Sequence, residues 1–275
     1  MHIKNFKTLG PREAKLITAL YENNKSIFRI SDAAGVIGMK IRDANSAVNK
    51  LYSKGVVSRI KHGVYTIVPF ELGPETIYSP DVYLTAREIM NGKDYYIAFA
   101  SALQIHEMAT QPQMTNYVAV KNMQRPVNAA GYDFKFIFLK KEYFFGIQDV
   151  WINKNEKVKV SSPEKTIIDC LHYSRYCGGI TEAAKAMYIK KEILNKELLV
   201  EYGIRTGMGS VCSRLGFLMQ LYNMADETEL QKLKLQKKTS YITLDPVLPK
   251  AGRYIKEWMI LQNVESEELT NVGKT

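Results

Sequence analysis

Long hydrophobic runs are missing from this sequence: no stretch approaches the roughly 20 consecutive apolar residues that a membrane-spanning helix requires. The opening residues, Met1-His2-Ile3-Lys4-Asn5-Phe6-Lys7, carry charge with no apolar run behind them. No signal peptide and no membrane partner are therefore expected, and the expected location is cytoplasmic. Cysteine is scarce: the chain has Cys170, Cys177 and Cys212 in 275 residues. An odd, sparse set argues against a disulfide framework and fits a reducing compartment. Fixed-period repeats and low-complexity segments are missing too. The remainder, 46% hydrophobic, has the composition of an ordinary globular protein. It is long enough for two domains and for a core that needs no covalent staples.

Catalytic signatures are incomplete as well. His106-Glu107-Met108-Ala109-Thr110 starts like a zinc-protease helix, but Thr110 stands where the second histidine belongs, so His106 reads as a core-facing histidine. Cys170, His172 and Cys177 offer three ligands where structural zinc wants four, and buried free thiols are the simpler reading. Gly207-Met208-Gly209-Ser210 lacks the lysine and spacing of a phosphate loop and reads as a helix entry. A metal-dependent nuclease is the enzymatic alternative, with Asp133 and Lys135 of Asp133-Phe134-Lys135 on one strand. It needs a second acid, and the candidate, Glu107, falls in an expected core helix. No catalytic residue, metal or cofactor is assigned, and the chain is expected not to be an enzyme.

Charge is abundant and unevenly placed. The net formal charge is +10. Residues 1–70 hold twelve basic and four acidic side chains, a net +8, which leaves +2 for the other 205 residues. Such a local excess is an electrostatic footprint for phosphate.

The same seventy residues have an ordered pattern. Gly10-Pro11 opens a helix whose apolar face is Ala14, Ile17, Leu20 and Tyr21. Ser31 reads as the N-cap of a short second helix, Asp32 to Ile37, which Gly38 breaks. A third helix runs from about Met39 to Ser53 and ends at Gly55. Ile41, Ala44, Val48 and Leu51 form its packing side. Arg42, Asn45, Ser46 and Asn49 fall on the other side, with Lys40 and Lys50 beside them. Arginine and asparagine pair bidentately with guanine and adenine edges in the major groove, and this face has no glutamate. Val56–Ile60 and Val64–Val68 then flank Lys61-His62-Gly63 as a hairpin, whose Arg59, Lys61 and His62 can reach phosphates or the minor groove. Helix, short helix, turn, helix and basic hairpin make the order of a winged helix-turn-helix. Its expected partner is double-stranded operator DNA with inverted repeats.

Phe70 to Pro80, with Gly73, Pro74 and Pro80, reads as a connection. The expected division is a winged helix-turn-helix DNA-binding domain at 1–70 and a mixed α/β domain with a helical second half at 81–275, α+β in class overall. A helix is expected over Asp81–Met90. Tyr95–Met108 reads as a buried helix, with room for a short strand before it. Strands are expected at 117–120, 134–139 and 158–160, and Ser161-Ser162-Pro163-Glu164 caps a further helix. Helices dominate from Gly179 to about Leu235. The basic stretch Leu230–Lys238 reads as a solvated helix, with phosphate contacts or an acidic partner as the alternative.

Ordered stretches along nearly the whole chain carry a family resemblance. They are Lys61-His62-Gly63-Val64-Tyr65, the run Tyr95 to His106, the run Val160 to Leu171, Gly178-Gly179-Ile180, Ser213 to Leu218 and Leu244-Asp245-Pro246. With these the chain resembles the AbiE-type antitoxins, transcriptional regulators of abortive-infection toxin–antitoxin operons. The resemblance implies an N-terminal domain that represses its own operon. It also implies a C-terminal domain that counters a cognate nucleotidyltransferase-like toxin, functionally and without the need for a physical contact. Helix-three residues differ among such proteins, so the operator sequence does not carry over. A winged-helix regulator with a small-molecule-sensing C-terminal domain is the second reading, and the nuclease the third.

Overall fold

A computed structural model describes residues 7–270. Lys4, counted in the charge excess, and residues 1–6 of the opening read for a signal peptide lie outside the described residues. Within them the chain is mixed α+β, with eleven α-helices and three sheets. Contacts divide it into two compact units: residues up to Asp94 with 126–134 and 150–158 in one, the rest in the other.

In the first unit the order is α1 (Pro11–Glu22), β1 (Ile27–Arg29), α2 (Ile30–Ile37), α3 (Ile41–Ser53), β2 (Val57–Lys61), β3 (Val64–Ile67) and α4 (Val82–Met90). The strands form an antiparallel sheet of order β1-β3-β2. Leu16, Leu20, Phe28, Ala44, Val48, Leu51 and Val56 are fully buried together. At about 1.5–3 kcal/mol for each large apolar side chain, this cluster fixes the three helices on one face of the sheet. Strand β1 is absent from the sequence-based expectation, and it makes β3 the central strand.

Three local expectations need correction. Ile41 is 57% exposed, because the first residue of α3 projects ahead of the first core layer, which begins at Ala44. Tyr21 is also exposed, and Leu16 takes the buried place in α1. Ser31 lies inside α2, which begins at Ile30. Arg29 is the N-cap, and the Asp32 carboxylate accepts its backbone N–H at 2.8 Å. Asp32 thus makes the half of a capping box that reaches back from the third helical position to the N-cap backbone.

The boundary also differs from the expected connection at 70–80. Residues 73–81 carry no regular structure, yet α4 groups with the first unit. Its N-cap, Asp81, accepts the N–H groups of Tyr83 and Leu84. Near its other end the Arg29 guanidinium donates to the Glu88 carbonyl, a favourable place for a cation because helix C-termini carry partial negative charge. Arg87 bonds Glu156 at 2.8 Å, which ties the later segment 150–158 to α4.

The largest sheet has the order β6-β7-β5-β4-β9-β8, from β4 (Tyr95–Ile97), β5 (Thr115–Val120), β6 (Val127–Ala129), β7 (Tyr132–Phe138), β8 (Ile147–Trp151) and β9 (Lys157–Ser161). Strand β4 pairs antiparallel with β5 and parallel with β9. Helices α5 (Phe99–Ile105), α6 (Pro163–His172), α7 (Ile180–Ile189), α8 (Lys196–Arg205), α9 (Gly209–Leu221) and α10 (Glu227–Gln236) belong to the second unit. Ser162 caps α6 as its sequence implies. A small sheet of β10 (Ile242–Thr243), β11 (Arg253–Ile255) and β12 (Ile260–Gln262), and helix α11 (Ser266–Thr270), end the described chain. Trp258, just before β12, is fully buried against α9. Its ring fills the notch at Gly216, where a Cβ would stand 2.1 Å from it.

Candidate nucleic-acid interface

The exposed side of α3 follows from its buried side. Ala44, Val48 and Leu51 are buried at spacings of four and three, so the positions between them point away from the core. Arg42, Asn45, Ser46, Asn49 and Lys50 are all exposed. Arg42, Asn45 and Asn49 form one stripe along the helix; Ser46 and Lys50, a turn apart, lie beside it. Lys40 is exposed at the N-cap position. Among the described residues, the side chains of Arg42, Asn45, Ser46 and Asn49 make no hydrogen bond or ion pair within the chain. They are a row of unspent donors and acceptors. One acid, Asp43, shares the first turn, where the helix N-terminus favours a negative charge.

Two of the other acids of the region, Glu13 and Asp32, are held by partners of their own. Glu13 accepts the Gly10 N–H and pairs with Lys54; the backbone donor first, and then Lys54, hold its carboxyl below the usual range. Asp32 pairs with Lys25 at 3.5 Å. Neither forms an ion pair with Lys40, Arg42 or Lys50, although Lys50 acts on Glu13 through space.

The hairpin β2–β3 turns through His62 and Gly63, with Gly63 at φ +74°, a conformation that glycine adopts without strain. Arg59 and His62 are exposed. Arg59 lies opposite Tyr65, and a register shift follows before Lys61, which lies opposite Val64. Lys61 is only half-exposed. Burial lowers its pKa, and positive Arg29 and Lys93 lower it further. Sequence spacing places neither neighbour near the hairpin. The signal for Arg29 lies in the strand pairing, where Arg29 also stands opposite Val64.

The residues weighed for metal or nuclease chemistry fall differently. Glu107 is outside α5 and exposed, not in a core helix, because α5 ends at Ile105 and Glu107 takes a left-handed turn at φ +55°. Asp133 and Lys135 are exposed on β7, with Asp133 accepting from Asn128 at 2.9 Å. His106 is half-buried and donates from Nε2 to the Ser161 carbonyl at 2.7 Å; burial pushes its pKa down. Cys170, Cys177 and Cys212 are buried free thiols. Among the described residues, no three His, Cys, Asp or Glu side chains stand together as ligands for one ion. Gly207 and Gly209 do mark the entry to α9. In α10, Leu230 and Leu233 are buried while Lys234 pairs with Glu227 and Glu257.

No family model matches the chain, and none of the curated proteins does. Among solved structures, the crystal structure of the RV2827C protein from Mycobacterium tuberculosis is similar, with a TM-score of 0.65 over 92% of each chain at 13% identity. At that identity the likeness concerns the fold alone.

Proposed function

We propose that the protein is a sequence-specific repressor that binds double-stranded DNA through a winged helix-turn-helix in its first unit. In this reading α3 enters the major groove and the β2–β3 hairpin is the wing. Arg42, Asn45 and Asn49 read base edges; Ser46 adapts to them; Lys40, Lys50, Arg59, Lys61 and His62 meet phosphates or the minor groove. The observation that carries the proposal is the exposed, internally unpaired Arg42–Asn45–Asn49 stripe beside a hairpin rich in cations. The resemblance to AbiE-type antitoxins extends it: the protein represses its own toxin–antitoxin operon in the cytoplasm, and the second unit counters a nucleotidyltransferase-like toxin. It acts by binding, without a catalytic site of its own. Electrophoretic mobility of the chain's own promoter DNA tests this directly. A retarded band that resists excess random duplex is expected; no retardation at low salt refutes the reading.

A ligand-sensing regulator is the second reading, and one observation favours it. The second unit has a half-open cavity of about 270 Å³ lined by Met123, Phe136, Phe138, Tyr173, Arg175 and Tyr176, a mixture of apolar walls and a few polar groups. Operator binding that shifts with a small metabolite would support it.

A further inference from the structure

We propose that Lys61 and Lys93, with Arg29 behind them, form a clamp for one backbone phosphate of duplex DNA, placed where α4 meets the wing. The inference rests on the DNA-binding reading and extends the interface beyond the first seventy residues.

Its geometry starts in the sheet. Arg29 on β1 and Lys61 on β2 both stand opposite Val64 of the central strand. Directly opposed residues put their side chains on the same face of a sheet, so the two cations share a row. Helix α4 contacts β1, and the Arg29–Glu88 hydrogen bond fixes the C-terminal end of α4 to that row. The chain then turns through Asn91 and Gly92, both with positive φ, and presents Lys93, which is exposed. The charges that act on Lys61 are the positive ones of Arg29 and Lys93.

Three cations held this close repel one another, and a fold gains nothing from the arrangement by itself. None of the three makes an ion pair among the described residues. The Asp32 carboxylate is engaged by the Arg29 backbone N–H and by Lys25, and the Glu88 carboxylate by Arg87. Arg29 already spends one guanidinium nitrogen on Glu88 and is part-buried, so it acts as a fixed charge behind the site. Lys61 and Lys93 supply the ammonium groups that reach the ligand. An anion is what relieves such a cluster, and the anion that a wing meets on DNA is a phosphate.

The test measures the affinity of the full chain for a random-sequence duplex by fluorescence anisotropy across a series of KCl concentrations. The variants are Lys93→Gln, Lys61→Gln, the pair together, and Lys196→Gln, an exposed lysine of the second unit, as a control for net charge. Either clamp substitution should lower the magnitude of the salt slope, and the pair together should lower it by about 0.9, the value of the one phosphate left unneutralised. Lys196→Gln should leave the slope unchanged. Thermal melts establish that the variants are folded. A folded Lys93→Gln protein with the wild-type slope overturns the clamp and leaves α3 and the wing as the interface. An equal drop in Lys196→Gln also overturns it, because net charge would then account for the effect. Wild-type protein that binds no duplex at low salt overturns the clamp together with the DNA-binding reading, an outcome plainly distinct from the other two.

Discussion

Truncating Asn45 to alanine separates base reading from general attraction to DNA. Asn45 is exposed on α3 and its side chain has no partner among the described residues, so its removal should change stability by no more than about 0.5 kcal/mol. Its stripe partner Arg42 is in the same position, one turn nearer the helix N-terminus. If either side chain makes a bidentate bond to a base edge, its loss costs about 1–3 kcal/mol on the operator, or about 5- to 150-fold in Kd. On random duplex the losses differ. Asn45 carries no charge and should cost almost nothing, whereas Arg42→Ala should cost a little through phosphate attraction. Anisotropy titrations of both variants on operator and random duplex, at one fixed salt concentration, give the four ratios needed. Equal weakening on the two DNAs would demote these residues to backbone contacts. No weakening on either would remove α3 from the groove.

Other outcomes follow from the packing and the charges. Gly216→Ala drives a Cβ into the Trp258 ring; overpacking of this kind costs about 1–3 kcal/mol or more, visible as a lower Tm. His172 stacks on Tyr173 at 3.9 Å, and burial first, then Lys165 and Arg214, push its pKa down to about 4. The unfolded chain therefore takes up a proton that the folded one refuses. Stability should fall as pH drops through the ordinary histidine range and level off near the folded value. NMR titration should place the His172 midpoint near 4, and an ordinary midpoint would refute the burial argument. Glu13 behaves similarly: its lowered pKa gives stability present at neutral pH and lost in acid, and Glu13→Gln should flatten that limb of a pH–melting curve. A fragment ending at residue 70 should melt at a lower temperature than one ending at residue 94, because only the longer one keeps α4 on β1 and the Arg29–Glu88 hydrogen bond; equal melting would make 70 a true boundary.

The stripe on α3 is legible in the sequence because helical spacing alone decides which residues share a face, and three buried residues at spacings of four and three are enough to orient it. Ile41 misleads because periodicity says nothing about where the core begins along the helix axis. The hairpin is legible from β-branched runs around a glycine, and so is the cap at Ser162, whose partner is three residues away. What escapes are features made by distant partners. Ile27-Phe28-Arg29 is too short for an alternating pattern, and only pairing with β3 makes it a strand. Arg29, Lys61 and Lys93 are unremarkable singly; strand register and one hydrogen bond to α4 gather them. The buried Lys165–Asp169 pair, with the Tyr96 hydroxyl 3.0 Å from Asp169, is equally hidden, since sequence patterns read such charges as surface.

The notch in α9 sets an order of events during synthesis. Helices α6 to α10 leave the ribosome before the indole of Trp258 that completes their packing. Until it arrives, Gly216 lies at the bottom of an open apolar slot, and the second unit is a bundle without its last wedge. Chains interrupted ahead of Trp258 would present that slot to proteases and chaperones, whereas chains that reach it hide the slot. Trp258 thus decides whether the apolar surface around Gly216 is covered or left open.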